Sequence, residues 1–390
     1  MEFNFDEIVN RKNTNAFKWD ALPPGDVMPM WVADMDFKTA PAITQALSNR
    51  VEHGVFGYTQ TPPQFYNAII NWWQKRHGFL IEHSWIVPVM GVIPALSAIV
   101  RALTQKGDKV IIQPPVYNHF YITLANSGCE IVENNLLYNN GAYSLDLNDL
   151  ENKASDPYVK LLILSNPHNP AGRVWTRAEL LQVADICLRH NVIVISDEIH
   201  SDLVFNGHKH IPFASLGQEH GQNAITLASS TKTFNLAGIQ VGYLFTQNST
   251  FRKAVNNILV MQEMEMLSPF AIEALIAAYT HGEEWLEALK TYLYDNYLYL
   301  KEFIAQNIPG VTVVPLQGTY LVWLDCSALQ KTSVNLTEDL LQNNNLKVNA
   351  GTMYGAAGEG FIRINIACPK TQLNEGLNRL KAGLQSGSAH

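Results

Sequence analysis

A single lysine stands among small hydroxyl side chains in Ser229-Ser230-Thr231-Lys232-Thr233, with Gly238 shortly after, directly behind an apolar run at 224–227 that reads as a buried strand. Few chemistries call for that combination. A lysine amine can condense with a carbonyl group to form a Schiff base, and neighbouring hydroxyls can hold a phosphate on the same molecule. Taken alone, the stretch reads as readily as a solvated lysine in a Ser/Thr-rich turn.

Other stretches tip the balance. Ser165-Asn166-Pro167-His168-Asn169-Pro170-Ala171-Gly172 follows an apolar run at 159–164. A residue before proline is kept out of the helical region, so the repeated Asn-Pro fixes a tight, extended loop that presents the Asn169 amide rigidly. Asp197-Glu198-Ile199-His200 follows the apolar run 192–196. A carboxylate at such a strand end needs a cationic partner or hydrogen bonds, because an isolated one takes up a proton. A protonated pyridine nitrogen is one such partner; helix capping is another use for Asp197. Met30-Trp31-Val32-Ala33-Asp34-Met35-Asp36-Phe37 sets two carboxylates in an apolar context, as a pocket lining or as a strand end.

All the strand-end groups require a scaffold of alternating elements. Strands are expected at 85–90, 109–113, 130–133, 159–164, 192–196, 224–227 and 241–245. Helices are expected at 39–53, 63–77, 118–127 and 146–153, with another from a Thr176–Glu179 capping box to about His190. Continuous apolar strands between amphipathic helices mean a mainly parallel sheet covered on both faces, which binds ligands at the carboxyl ends of its strands. Past Met266 the texture changes to a long helix at 283–306, short strands at 311–315, 319–325 and 361–366, and helices at 336–342 and 371–384. The expected class is α/β, a large doubly wound, mainly parallel sheet domain with a smaller α+β domain. The expected division is an N-terminal arm at 1–38 packing with the small domain, a large domain at 39–285 and the small domain at 286–390.

Composition narrows the partners. The chain has 390 residues, 47% of them hydrophobic and 16% charged, which supplies a sizeable core and argues against broad disorder. A net charge of -8 without a basic run argues against nucleic acid or an anionic membrane as partner. The four cysteines are scattered without CxxC spacing, as expected of reduced thiols in a cytoplasmic protein; no metal site is expected. The first twenty residues do not read as a signal peptide, and no apolar run reaches the ~20 residues of a membrane span.

Asn169, Asp197 and Lys232, in this order and at these gaps, resemble the signature of class I/II pyridoxal-phosphate aminotransferases of fold type I, over essentially the whole chain. The segments NPHNPAGRVW, SDEIHSDL, STKTFNLAG and MWVADMDF are similar to one branch, the MalY/PatB-type cystathionine β-lyases (C–S lyases). The resemblance implies pyridoxal 5′-phosphate bound to Lys232, which also moves the substrate's Cα proton. It implies Asp197 on the pyridine nitrogen, Asn169 and His200 on the ring hydroxyl, and Tyr117 stacked on the ring as a third catalytic residue. Ser229, Thr231 and the backbone N–H groups of Val92 and Ile93 would take the phosphate, joined by Tyr58 from the other subunit of a homodimer. Arg363 would clamp the substrate α-carboxylate, with Asn169 and Asp34 on the substrate side. Many relatives carry an arginine eight residues after the lysine; Gln240 stands there, which fits the lyase branch.

The residues themselves imply a cofactor enzyme acting at Cα of an amino acid, and the resemblance selects β-elimination of a thioether such as L-cystathionine. Transamination by an aminotransferase, or cofactor binding by a regulator without turnover, are the rival readings.

Overall fold

The computed structural model describes residues 3–205 and 207–385. Its main sheet contains β1 (Ile86–Val89), β2 (Lys109–Ile112), β3 (Glu130–Glu133), β4 (Val159–Ser165), β5 (Ile193–Asp197), β6 (Ala224–Ala228) and β7 (Gly242–Phe245). They lie side by side in the order β1-β7-β6-β5-β4-β2-β3. β7 runs antiparallel to both neighbours, and the other pairings are parallel. In β4, β5 and β6 every residue except Lys160 and Ile193 is buried. That two-sided burial is why their sequences are continuous apolar runs and not alternating ones.

Helices α1 (Pro41–His53), α2 (Pro63–His77), α3 (Val92–Leu103), α4 (Asn118–Ser127), α5 (Leu147–Ala154), α6 (Arg177–Arg189) and α7 (Ser249–Met261) belong to this part of the chain. The Thr176–Glu179 capping box forms in full at the start of α6. Gly78, at φ +65°, ends α2 in the left-handed conformation that glycine adopts without penalty. After α8 (Pro269–His281) and the long α9 (Glu283–Asn307) comes a second sheet, β8 (Thr312–Val313), β9 (Leu321–Asp325), β10 (Asn349–Ala350) and β11 (Phe361–Asn365). It is antiparallel throughout, in the order β8-β9-β11-β10. α10 (Ser333–Asn344) and α11 (Lys370–Gln385) complete the chain.

The doubly wound sheet and the α+β second part match the expected class. Several boundaries differ for local reasons. The strand expected at 319–325 begins at Leu321, because Thr319 sits at φ +70°, outside the strand region. The patternless first stretch holds a strand, Met28–Pro29, that pairs in parallel with Leu346–Lys347. A two-residue strand has no periodicity of its own, so only its distant partner defines it. A hairpin at Leu137–Asn139 and Ala142–Ser144, not expected from the sequence, turns at Asn140-Gly141, where both residues have positive φ.

Candidate active site

A cavity of about 850 Å³ opens at the carboxyl edge of the main sheet. Gly91 and the first turn of α3, with Val92 and Ile93, come after β1, and Tyr117 and the first turn of α4, with His119, come after β2. Ser165 and Asn169 come from the end of β4 and its loop, Asp197 and His200 from the end of β5, and Thr231 and Lys232 from the loop after β6. Convergence at strand ends is what a doubly wound sheet provides.

Lys232 projects into this cavity, and its Nζ donates to the Ala33 carbonyl at 2.6 Å. Desolvation lowers its pKa to about 8, with Asp34 opposing the shift and Arg363 adding to it. The amine therefore reaches its neutral, nucleophilic form much nearer neutrality than an ordinary lysine does. Asp197 is buried, and its side chain accepts one hydrogen bond, from the Ile199 N–H at 3.2 Å. Burial pushes its pKa up to about 7; the Ile199 bond and Lys232 oppose this, and Glu198 adds to it. Among the described residues no cation forms an ion pair with it.

Asn169 accepts from Arg363 Nη1 at 3.0 Å, and Arg363 Nη2 donates to the Trp31 carbonyl at 2.8 Å. Arg363 is 4% exposed, lies on β11 and covers the Tyr354 ring at 4.9 Å. Its Nε has no hydrogen-bond partner among the described residues. The second sheet thus delivers a guanidinium directly to an amide on the first. His200 is buried, and desolvation, with Lys232 and Arg363 nearby, lowers its pKa to about 3, so the ring is neutral. Burial holds the Tyr117 phenol protonated, with a pKa of about 12.

Val92 and Ile93 open α3, where backbone N–H groups have no intrahelical acceptor and favour an anion. Thr231 joins them on the wall, but Ser229 does not. The Ser229 hydroxyl lies 2.6 Å from the Val241 carbonyl, which can only accept, so its proton is committed there. Its oxygen supports Thr231 from behind, through the Thr231 N–H at 3.0 Å. Ser229 thus stands directly behind Thr231, the hydroxyl that faces the cavity.

Asp34 stands near enough to Lys232 to raise its pKa against desolvation. Its Oδ2 pairs with Arg11 at 2.6 Å. Tyr58 lies on an outer loop, 99% exposed. His119 on the cavity wall, Tyr320 and the Ala33 carbonyl were not anticipated. Tyr320 donates to the Ala33 carbonyl at 2.9 Å, the same oxygen that receives Lys232. The proximity of His119 to Tyr117 was a usable signal; a backbone carbonyl leaves none. Gln240 lines the cavity, and no arginine does among the described residues.

The profile of the family aminotransferase class I and II matches residues 25–380. The chain belongs to this family. Among curated relatives of this aminotransferase-family chain, cystathionine beta-lyase PatB of Bacillus subtilis is 42% identical over 385 residues, 98% of this chain and 100% of the relative. Among solved structures, a PLP-bound putative aminotransferase from Clostridium difficile 630 matches with a TM-score of 0.96 at 42% identity, covering 98% of this chain and 100% of the other. Cystalysin from Treponema denticola, which contains a pyridoxal 5′-phosphate cofactor, matches with a TM-score of 0.96 at 32% identity, covering 99% and 100%. No helix among the described residues is long and apolar enough to cross a membrane.

Proposed function

We propose that this chain is a pyridoxal-phosphate-dependent carbon–sulfur β-lyase that converts L-cystathionine or a related thioether amino acid to a thiol, pyruvate and ammonia. The full-length 42% identity to a cystathionine beta-lyase carries the reading.

The wall of the cavity fits the cofactor. Asp197 needs a cation and would meet the ring nitrogen; Thr231 and the N–H groups of Val92 and Ile93 would hold the phosphate; Asn169 and neutral His200 would face the ring hydroxyl; Tyr117 would flank the ring. The bound cofactor supplies an electron sink for chemistry at the substrate's Cα. Lys232 Nζ, held close to its neutral form, accepts the Cα proton. Arg363, whose Nη groups hold Asn169 and the Trp31 carbonyl just behind the wall, would exchange those contacts for the substrate α-carboxylate, a bidentate pairing that a lysine cannot reproduce. With Cα and its carboxylate fixed, the sulfur on Cβ leaves as thiolate, and water completes the products.

Arg363→Lys is expected to raise the KM for L-cystathionine about 10- to 100-fold, with a smaller change in kcat, because a charged hydrogen bond contributes about 1.5–3 kcal/mol. Steady-state kinetics on both proteins check this.

The reading extends to a homodimer. Val55, Phe56 and Tyr58 are exposed at 62%, 53% and 99% in one loop, an apolar tip that a second copy would cover. Residues 1–38 serve as an arm, 39–285 as the cofactor domain and 286–390 as the small domain. The four cysteines are free and buried, in keeping with a reducing cytoplasm.

The test is L-cystathionine supplied without any 2-oxo acid. A β-lyase releases pyruvate and free thiol in equal amounts over many turnovers. Transamination stops after about one turnover per site and makes neither product.

A further inference from the structure

Behind the wall of the cavity lies a buried carboxylate that the reaction above does not use. Asp202 is 4% exposed and sits on the same loop that carries Asp197 and His200. Its oxygens receive Trp72 Nε1 at 3.1 Å, His77 Nε2 at 3.1 Å and Thr233 Oγ1 at 3.0 Å. Arg76 Nε stands 3.6 Å away. Trp72, His77 and Arg76 all come from α2, and the Trp72 indole is itself held by stacking on Tyr279, centroid to centroid at 4.8 Å and 7°. The carboxylate is thus fixed by several donors and by packing, not merely buried.

The Thr233 hydroxyl is the one donor to Asp202 that comes from the lysine loop. Thr233 is fully buried and directly follows Lys232, whose side chain lines the cavity that Thr233 does not. Anchoring residue 233 from behind fixes the backbone from which Lys232 departs. It also ties the loop after β5, with Asp197, to the loop after β6, with Lys232. A lysine side chain carries four rotatable bonds, so the direction of its first bond decides where Nζ is concentrated.

We propose that the Thr233–Asp202 hydrogen bond aims Lys232, making Thr233 and Asp202 positioning residues for the proton transfer at Cα. The proposal rests on the role given above to Lys232. A buried hydroxyl with a fixed acceptor could serve packing alone, and the two uses separate experimentally. Thr233→Val keeps the shape and removes the hydrogen bond. Thr233→Ser keeps the hydrogen bond and removes a methyl group.

The test compares the three holoenzymes in L-cystathionine turnover. It also measures, in cofactor-stripped protein, the rate at which the visible absorption of lysine-bound pyridoxal phosphate appears. Thr233→Val is expected to lower kcat about 10-fold with KM within about 2-fold, and to slow band formation about 10-fold. Thr233→Ser restores both to within about 2-fold of the parent. Equal loss in the Val and Ser variants would assign Thr233 to packing and overturn the proposal, as would parent-like rates for Val. If Thr233→Val does not fold, Thr233→Ala takes its place against Ser with the same expected split. A parent protein that forms the band but releases no thiol would overturn the lyase reading alone, and the band rates would still decide the proposal.

Discussion

Lys232→Ala is expected to lower kcat for L-cystathionine by at least about 10³-fold, because one side chain both anchors the cofactor and moves the Cα proton, and general acid–base work alone contributes about 10²–10⁴. The loss should come without misfolding. Lys232 is a cavity-wall residue whose pKa of about 8 shows that its ammonium form is penalised there. Removing it relieves that penalty below pH 8, so the cofactor-free variant should unfold at the same or slightly higher denaturant concentration. Lys232→Arg should fail almost as badly, since a guanidinium stays protonated and cannot take a proton from Cα. Steady-state kinetics with a parallel unfolding curve read both halves of this expectation.

Asp197→Asn should separate function from stability in opposite directions. With an amide in place of the carboxylate, the ring nitrogen of the cofactor loses its counter-charge, and kcat should fall about 10²- to 10³-fold. In cofactor-free protein the same change should stabilise. Asp197 titrates at about 7 in the fold against 3.8 in an ordinary setting, with burial as the main cause. The native state therefore holds a proton that the unfolded chain gives up between those values. Stability from this group is fullest below pH 4, falls as pH rises through 7, and stays low beyond. The asparagine variant escapes that loss. Its advantage should be absent near pH 4 and reach about 2–4 kcal/mol at pH 8. Denaturant unfolding of both cofactor-free proteins at the two pH values measures it. An advantage that grew toward acid would contradict the assigned burial.

What the sequence disclosed followed from strong local physics. Apolar runs of β-branched and leucine residues located the main sheet, and Lys232, Asp197 and Asn169 stood where strands had to end. The cavity brings those three together with Tyr117, His200 and Thr231. Long-range pairing stayed hidden. Nothing near Arg363 announces that it reaches Asn169, 194 positions away. The segment at 31–35 contributes chiefly backbone carbonyls: Trp31 receives Arg363, Val32 receives Asn365, and Ala33 receives Lys232 and Tyr320. Of its aspartates, Asp34 pairs with Arg11 through Oδ2, a partner 23 positions away that its own segment does not announce. Ser229 shows the same limit at closer range. Its type suits a phosphate, and which acceptor its hydroxyl proton meets is set by the fold, which places the Val241 carbonyl 2.6 Å away.

The central claim is that the cofactor attaches to Lys232, and it is tested most directly by chemical trapping. The protein is loaded with pyridoxal phosphate, reduced with borohydride to make the lysine linkage permanent, digested and mapped by mass spectrometry. The account predicts one stoichiometric label, on the peptide containing Lys232. A label on any other lysine, or no label in protein that still cleaves L-cystathionine, would contradict it.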